Sequence, residues 1–189
     1  MIDVFRSAAE LQSVCEHHGW RFCFIGGVAL QRWGEPRFTR DADITLITGI
    51  GGEEPFVDAL LGKFEGRIPN ARDFALLHRV LLLRSASGVG LDVALGALPF
   101  EESAVRRSSC FEYPGGLSLR TCSAEDLVVF KSFAARGQDW VDVERILIRQ
   151  GSSLDWDYVL LHLRPLVEIK EAPEILVRLE RLRLGLGAG

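Results

Sequence analysis

The sequence predicts an α/β fold: a mixed-sheet core over residues 1–122, then a helical region over residues 123–189 packed on that core. Three observations lead there. Short apolar runs bounded by glycine alternate with helical periodicity as far as residue 122. Two of the runs, residues 79–85 ("RVLLLRS") and 90–96 ("GLDVALG"), are joined by a Ser/Gly-rich turn, as in a hairpin. From Ser123 onward only helical signals remain.

The elements follow in order. Val4, Ala8, Leu11 and Cys15 recur at helical spacing, and Gly19 is placed to stop that helix. Residues 21–25 ("RFCFI") read as a strand ending at Gly26 and Gly27, and residues 28–33 as a short helix stopped by Gly34. Pro36 opens an extended approach through Arg37 and Thr39 into a second strand, residues 42–47, closed by Gly49, Gly51 and Gly52. Residues 55–64 have helical periodicity. "CFEYPGGLSLRTC" reads as a hairpin turning at Pro114, Gly115 and Gly116. Ser123 with Asp126 has the form of a capping box for a helix through Arg136, and Asp139 with Asp142 repeats that form for a helix through Arg149. Two further helical segments start at Ser153 or Asp155 and at Pro173.

Composition narrows the function classes. At 189 residues the chain is the size of one domain, or of a core with a small appendage, and can bury an ordinary core. No apolar run approaches the roughly 20 residues of a spanning helix, and the start, "MIDVFRSAAELQ", lacks the form of a signal peptide. The expectation is a cytoplasmic protein with no membrane partner. Cys15, Cys23, Cys110 and Cys122 show no pairing or zinc spacing, so reduced and mostly buried thiols are expected. A net charge of −4 gives no global attraction to a polyanion, and any nucleic-acid contact must be local.

The chemistry gathers around "FIGGVALQRWGEPRFTRDADITL". On a strand Asp41 and Asp43 face the same side with Cα atoms about 6.6 Å apart. Two carboxylates sharing a site repel each other, and a hard divalent cation removes that penalty; Mg²⁺ takes one or two carboxylates and leaves its other positions to water and phosphates. Asp92 is a lone acid in an apolar strand and needs a partner. If its strand lies beside residues 42–47, it completes a three-carboxylate site. Gly26 and Gly27 follow a strand and open a helix, where backbone N–H groups favour phosphate. Arg37 and Thr39 share a face of the approach to Asp41, which allows phosphate contact or plain exposure to solvent.

This order of residues resembles the signature of the DNA polymerase β-like nucleotidyltransferase superfamily: a Gly-Gly or Gly-Ser pair on a short helix, two acids one residue apart, and a third acid on a later strand. The approach "RFTRD", the later "LDVALGALPFE" and the helical "EDLVVFKSFAARGQDWVDVERI" are similar to the AbiEii-type toxin nucleotidyltransferases. The resemblance covers roughly residues 22–149. It implies a Mg²⁺-dependent enzyme that moves a nucleoside monophosphate from an NTP to a hydroxyl acceptor. The acceptor implied is RNA, such as a tRNA 3′ end with an antitoxin protein as partner, or a small molecule of the aminoglycoside type; a non-catalytic nucleotide-binding module is the third reading. The resemblance further implies that Gly26 and Gly27 bind nucleotide phosphates through backbone, with Gly27 where many members have Ser. Asp41 and Asp43 would hold the metals that bridge the triphosphate, and Asp92 would bind a second metal and help activate the acceptor. Lys131 would contact the triphosphate, followed by polar positions at Arg136, Asp139 and Asp142. For Asp139 and Asp142 the structural alternative is N-cap and N3 of a helix.

Overall fold

The structure, a computed structural model, describes residues 1–186. The chain divides into two units: Met1–Val28 with Phe38–Cys122, and Ala29–Arg37 with the residues from Ser123 on. The second unit thus takes in a short early segment as well as the helical region.

The first unit is built on a mixed sheet of β1 (Phe22–Phe24), β2 (Asp41–Ile47), β3 (Glu65–Gly66), β4 (Val80–Arg84), β5 (Gly90–Gly96), β6 (Ser109–Tyr113) and β7 (Leu117–Thr121), in the order β3-β4-β5-β2-β1-β7-β6. The expected hairpins form, β4 with β5 and β6 with β7, both antiparallel. At the centre β2 runs parallel to β5 and antiparallel to β1. Alternation then decides what each face carries. Ala42, Ile44 and Leu46 of β2 and Leu91, Val93 and Leu95 of β5 point to one side, where with Phe24, Leu81, Leu83 and Leu119 they form a core with Val4, Ala8, Leu11 and Cys15 of α1 (Ile2–His17). Each fully buried leucine contributes roughly 1.5–3 kcal/mol. Asp41, Asp43 and Asp92 fall on the opposite face for the same reason.

Three elements of this unit gave no readable signal: β3, α4 (Ala71–His78) and α5 (Pro99–Arg107). Helix α4 lies between two residues in the left-handed region, Asn70 and Arg79, neither a glycine, so its ends carry no ordinary punctuation. Helix α5 starts at Pro99 and is capped by Glu101, whose carboxylate accepts from the N–H groups of Ala97 and Leu98. The unit also holds α3 (Glu54–Leu61) and the start of α2 (Gly26–Trp33). Cys15, Cys23 and Cys122 are buried and Cys110 is exposed, and none of the four is in a disulfide.

The second unit contains α6 (Ala124–Ala134), α7 (Gly137–Gln150), α8 (Trp156–Lys170) and α9 (Glu174–Leu186). The cap of α6 is as expected, Ser123 Oγ accepting from Asp126 N. Asp155 caps α8 by accepting from Tyr158 N. The cap of α7 differs from the expectation. The helix opens earlier, with Arg136 at the N-cap and Asp139 at N3, its carboxylate accepting from Arg136 N. Asp142 is therefore inside the helix and is not a capping residue. No helix among the described residues is long and apolar enough to cross a membrane.

Candidate active site

The site is assembled at the ends of β1 and β2. Strand β1 ends at Phe24, Ile25 N donates to Asp43 O, and the chain turns directly into α2 at Gly26. Gly26 has φ +55°, and a Cβ there would run into the Asp43 carboxylate, with the Asp43 Cγ at 2.7 Å. Only glycine meets both requirements. Gly27 is needed for space alone, because a Cβ would lie 2.8 Å from the Thr39 Cβ and closer still to its hydroxyl. The missing serine hydroxyl at residue 27 is thus accompanied by a threonine hydroxyl from the next segment, which donates to Asp41 Oδ1 at 3.2 Å. The turn places the start of α2 beside the acids, and a helix start favours an anion through its dipole and backbone N–H groups.

Across the sheet, Asp43 is the register partner of Asp92, and Asp41 that of Gly90, on the parallel pair β2 and β5. Adjacent strands lie about 4.8 Å apart, so Asp43 and Asp92 face each other across one strand spacing, and Asp41 lies on the same face two residues along β2. Burial raises the Asp92 pKa, the charge of Arg67 pulls it back, and that of Asp41 pushes it further up. Arg67 Nη2 lies 2.6 Å from Asp92 Oδ1, so Arg67 is a member of the site that the sequence pattern did not reveal. Its only sequence signal was negative: an isolated acid in an apolar strand demands a cation somewhere.

Three hard oxygen donors on one face suit Mg²⁺ in kind. Asp92 Oδ1 is buried, and its partner in this structure is the Arg67 guanidinium, so an entering cation would meet an oxygen already held by charge. Among the described residues no three His, Cys, Asp or Glu side chains converge closely enough to cage an ion unaided. Mg²⁺ held by one or two carboxylates and substrate phosphates needs no such cage.

Gly26→Ala tests the packing of this turn. The methyl group displaces the Asp43 carboxylate and strains a left-handed backbone, at a cost of about 1–3 kcal/mol. The expected result is a lower melting temperature together with weakened NTP binding, measured by thermal denaturation and calorimetry.

The remaining candidates belong to the other unit. Lys131 is buried, 5 % exposed, with its ammonium 2.7 Å from Asp142 Oδ2 and 3.2 Å from Asp139 Oδ1. Arg37 grips Asp142 with a two-point fork, Nε to Oδ1 and Nη2 to Oδ2, both at 2.9 Å. Gln138 adds a bond to Asp142 Oδ1 at 3.0 Å, and Arg136 Nε lies 2.6 Å from Asp139 Oδ2. In these contacts Arg37 and Lys131 neutralise two buried carboxylates and hold the segment 29–37 to α6 and α7.

Burial alone would raise the Asp142 pKa, but Arg37, Lys131 and Gln138 together lower it from 3.8 to about 2. Asp139 is lowered as well, against its burial, chiefly by Arg136 and Lys131. Because these folded-state values lie below the unfolded ones, their stabilisation is complete above the usual carboxylate range and is lost as pH falls through the folded value. For Asp142 this amounts to about 2 kcal/mol. Urea midpoints are expected to fall between about pH 4 and pH 2, and Asp142→Asn to flatten that decline.

Comparison with protein-family models gives no match, and comparison with curated proteins gives none. Among solved structures the chain is similar to an antigenic nucleotidyltransferase-like protein from Paracoccidioides brasiliensis, with 14% identity and a TM-score of 0.48 over 94% of this chain and 92% of that one. It is also similar to ANT(2'')-Ia in complex with adenylyl-2"-tobramycin, with 18% identity and a TM-score of 0.45 over 96% and 94% of the two chains. The solution structure of the antibiotic-resistance factor ANT(2'')-Ia gives 18% identity and a TM-score of 0.42 over 97% and 90%.

Proposed function

We propose that the protein is a Mg²⁺-dependent nucleotidyltransferase that moves a nucleoside monophosphate from an NTP to a hydroxyl acceptor. The observation that carries this reading is the register of β2 on β5, which sets Asp43 beside Asp92 and Asp41 two residues along, at the turn where Gly26 opens α2. In the reaction the acceptor oxygen bonds to the α-phosphorus as the bond from that phosphorus to the bridging oxygen breaks, and pyrophosphate leaves with both electrons. Mg²⁺, when bound by Asp41, Asp43 and Asp92, supplies charge neutralisation of the triphosphate oxygens. The protein's own groups do the rest. Gly26 and Gly27 offer backbone donors to phosphate, Thr39 orients Asp41, and Asp92 receives the acceptor proton. An intact set of three acids argues for turnover over a non-catalytic nucleotide-binding module.

RNA acceptance, as in a toxin-like enzyme acting on tRNA and restrained by an antitoxin, needs basic side chains for phosphate. One observation bears against an RNA acceptor. Arg145 pairs with Glu35 at 3.0 Å, Arg149 donates to Gly34 O, and Arg178 and Arg183 lie over Trp140 and Trp156. Arginines so engaged are less available as a basic strip.

The test is purified protein with each α-labelled NTP and Mg²⁺, against total tRNA and an aminoglycoside panel. Label on RNA that falls steeply between about 50 and 200 mM salt, with a flatter slope in the Arg145→Ala/Arg149→Ala variant, supports the RNA acceptor. Label on aminoglycosides with neither effect supports the small-molecule acceptor. No label on any acceptor contradicts the proposed reaction.

A further inference from the structure

We infer that Arg67 is a built-in counter-cation of the acid site, which holds Asp92 until a divalent ion displaces it and so sets the threshold for ion loading. This rests on the proposed metal reading of Asp41, Asp43 and Asp92. Arg67 directly follows β3, and its N–H donates to Leu82 O at 2.9 Å, so its backbone is fixed to β4 while its side chain crosses β5. The guanidinium passes over Gly90: a Cβ there would lie 2.5 Å from Arg67 Nη1 and 3.4 Å from the Asp41 Cβ. A glycine in strand β5, directly opposite Asp41, is what lets the cation into the group of acids.

The contact is of an exchangeable kind. Two arginine pairs in this chain are two-point forks, Arg37 on Asp142 and Arg72 on Asp58, each with two guanidinium nitrogens on two carboxylate oxygens. Arg67 instead approaches one oxygen, Asp92 Oδ1, at 2.6 Å, and that oxygen has no partner in hydrogen-bond geometry. Charge holds this pair without the fork that would lock it. Both side chains are partly exposed, 28% and 25%, so each has room to separate. Arg67 offsets one carboxylate charge in a group that contains three acids. An entering ion competes with the guanidinium for Asp92, because both are attracted by the same oxygen over a few ångströms.

Manganese titration of the nucleotide-free protein, followed by electron paramagnetic resonance, tests this without reference to activity. Arg67→Gln removes the internal cation, and Gly90→Ala drives it off Asp92 while leaving it in the chain. Both variants are expected to bind Mn²⁺ at least about tenfold more tightly than the parent. The melting temperature of Arg67→Gln is expected to fall in EDTA and to recover with Mn²⁺ by more than the parent's does. Unchanged or weaker Mn²⁺ binding in Gly90→Ala overturns the inference, even if Arg67→Gln fails to fold. Asp41→Asn separates the two levels. Loss of Mn²⁺ in that variant, with parent-like binding in Arg67→Gln and Gly90→Ala, overturns the role of Arg67 alone. Parent-like Mn²⁺ binding in Asp41→Asn overturns the metal site itself and this inference with it.

Discussion

Asp43→Asn is expected to lower nucleotide transfer by about a thousandfold or more while leaving the protein folded. The carboxylate lies against Gly26 at the start of α2, and its register partner is Asp92. Asparagine fills the same volume but removes the charge that would hold Mg²⁺ and the triphosphate. The substitution also removes repulsion among the acids, which at about 4 Å and an intermediate dielectric is on the order of 4 kcal/mol per pair before solvent screening. Thermal melts in EDTA should therefore place the variant level with the parent or slightly above it. The parent should gain stability with Mg²⁺ and NTP, and the variant should not. Full transfer activity in Asp43→Asn would remove this acid from the mechanism.

Asp142→Ala is expected to have the largest effect on stability, a loss of about 3–5 kcal/mol. The carboxylate is fully buried and accepts from Arg37, Gln138 and Lys131. Without it the Lys131 ammonium stays buried beside Asp139, Arg37 loses its fork, and the segment 29–37 loses an anchor. Urea denaturation followed by circular dichroism measures the loss. Lys131→Met with Asp142→Leu should recover part of it, since removing both members of a buried pair is less destabilising than removing one. A stability within about 0.5 kcal/mol of the parent for Asp142→Ala would show that the charges are not buried together in solution.

The contrast between these two groups of charges explains how much the sequence revealed. Asp41, Asp43, Gly26 and Gly27 were legible because they lie close together in the chain and because strand periodicity places the two acids on one face. Asp92 was legible through its chemistry, a charge in an apolar run, and the parallel pairing of β2 with β5 put it beside Asp43. Arg67 was not, because its role depends on β3, a two-residue strand with no pattern of its own, and on a glycine in another strand that admits the side chain. The network of Lys131, Asp139, Asp142 and Arg37 was half legible. The residues stood out, but the capping-box spacing from Asp139 to Asp142 suggested a helix start that Arg136 and Asp139 provide instead. That Arg37 spends its fork on Asp142 is a contact across 105 residues, beyond any local pattern.

If the carboxylates of β2 and β5 hold the cation that carries the triphosphate, binding of an NTP analogue that cannot react shows it most directly. Phosphorus resonances of the analogue are followed by NMR as protein is added with trace Mn²⁺, for the parent and for Asp41→Asn. The expected result is strong paramagnetic broadening of the protein-bound phosphates in the parent, abolished by EDTA and by the substitution. Equal binding of the analogue in EDTA, or equal broadening in Asp41→Asn, contradicts it.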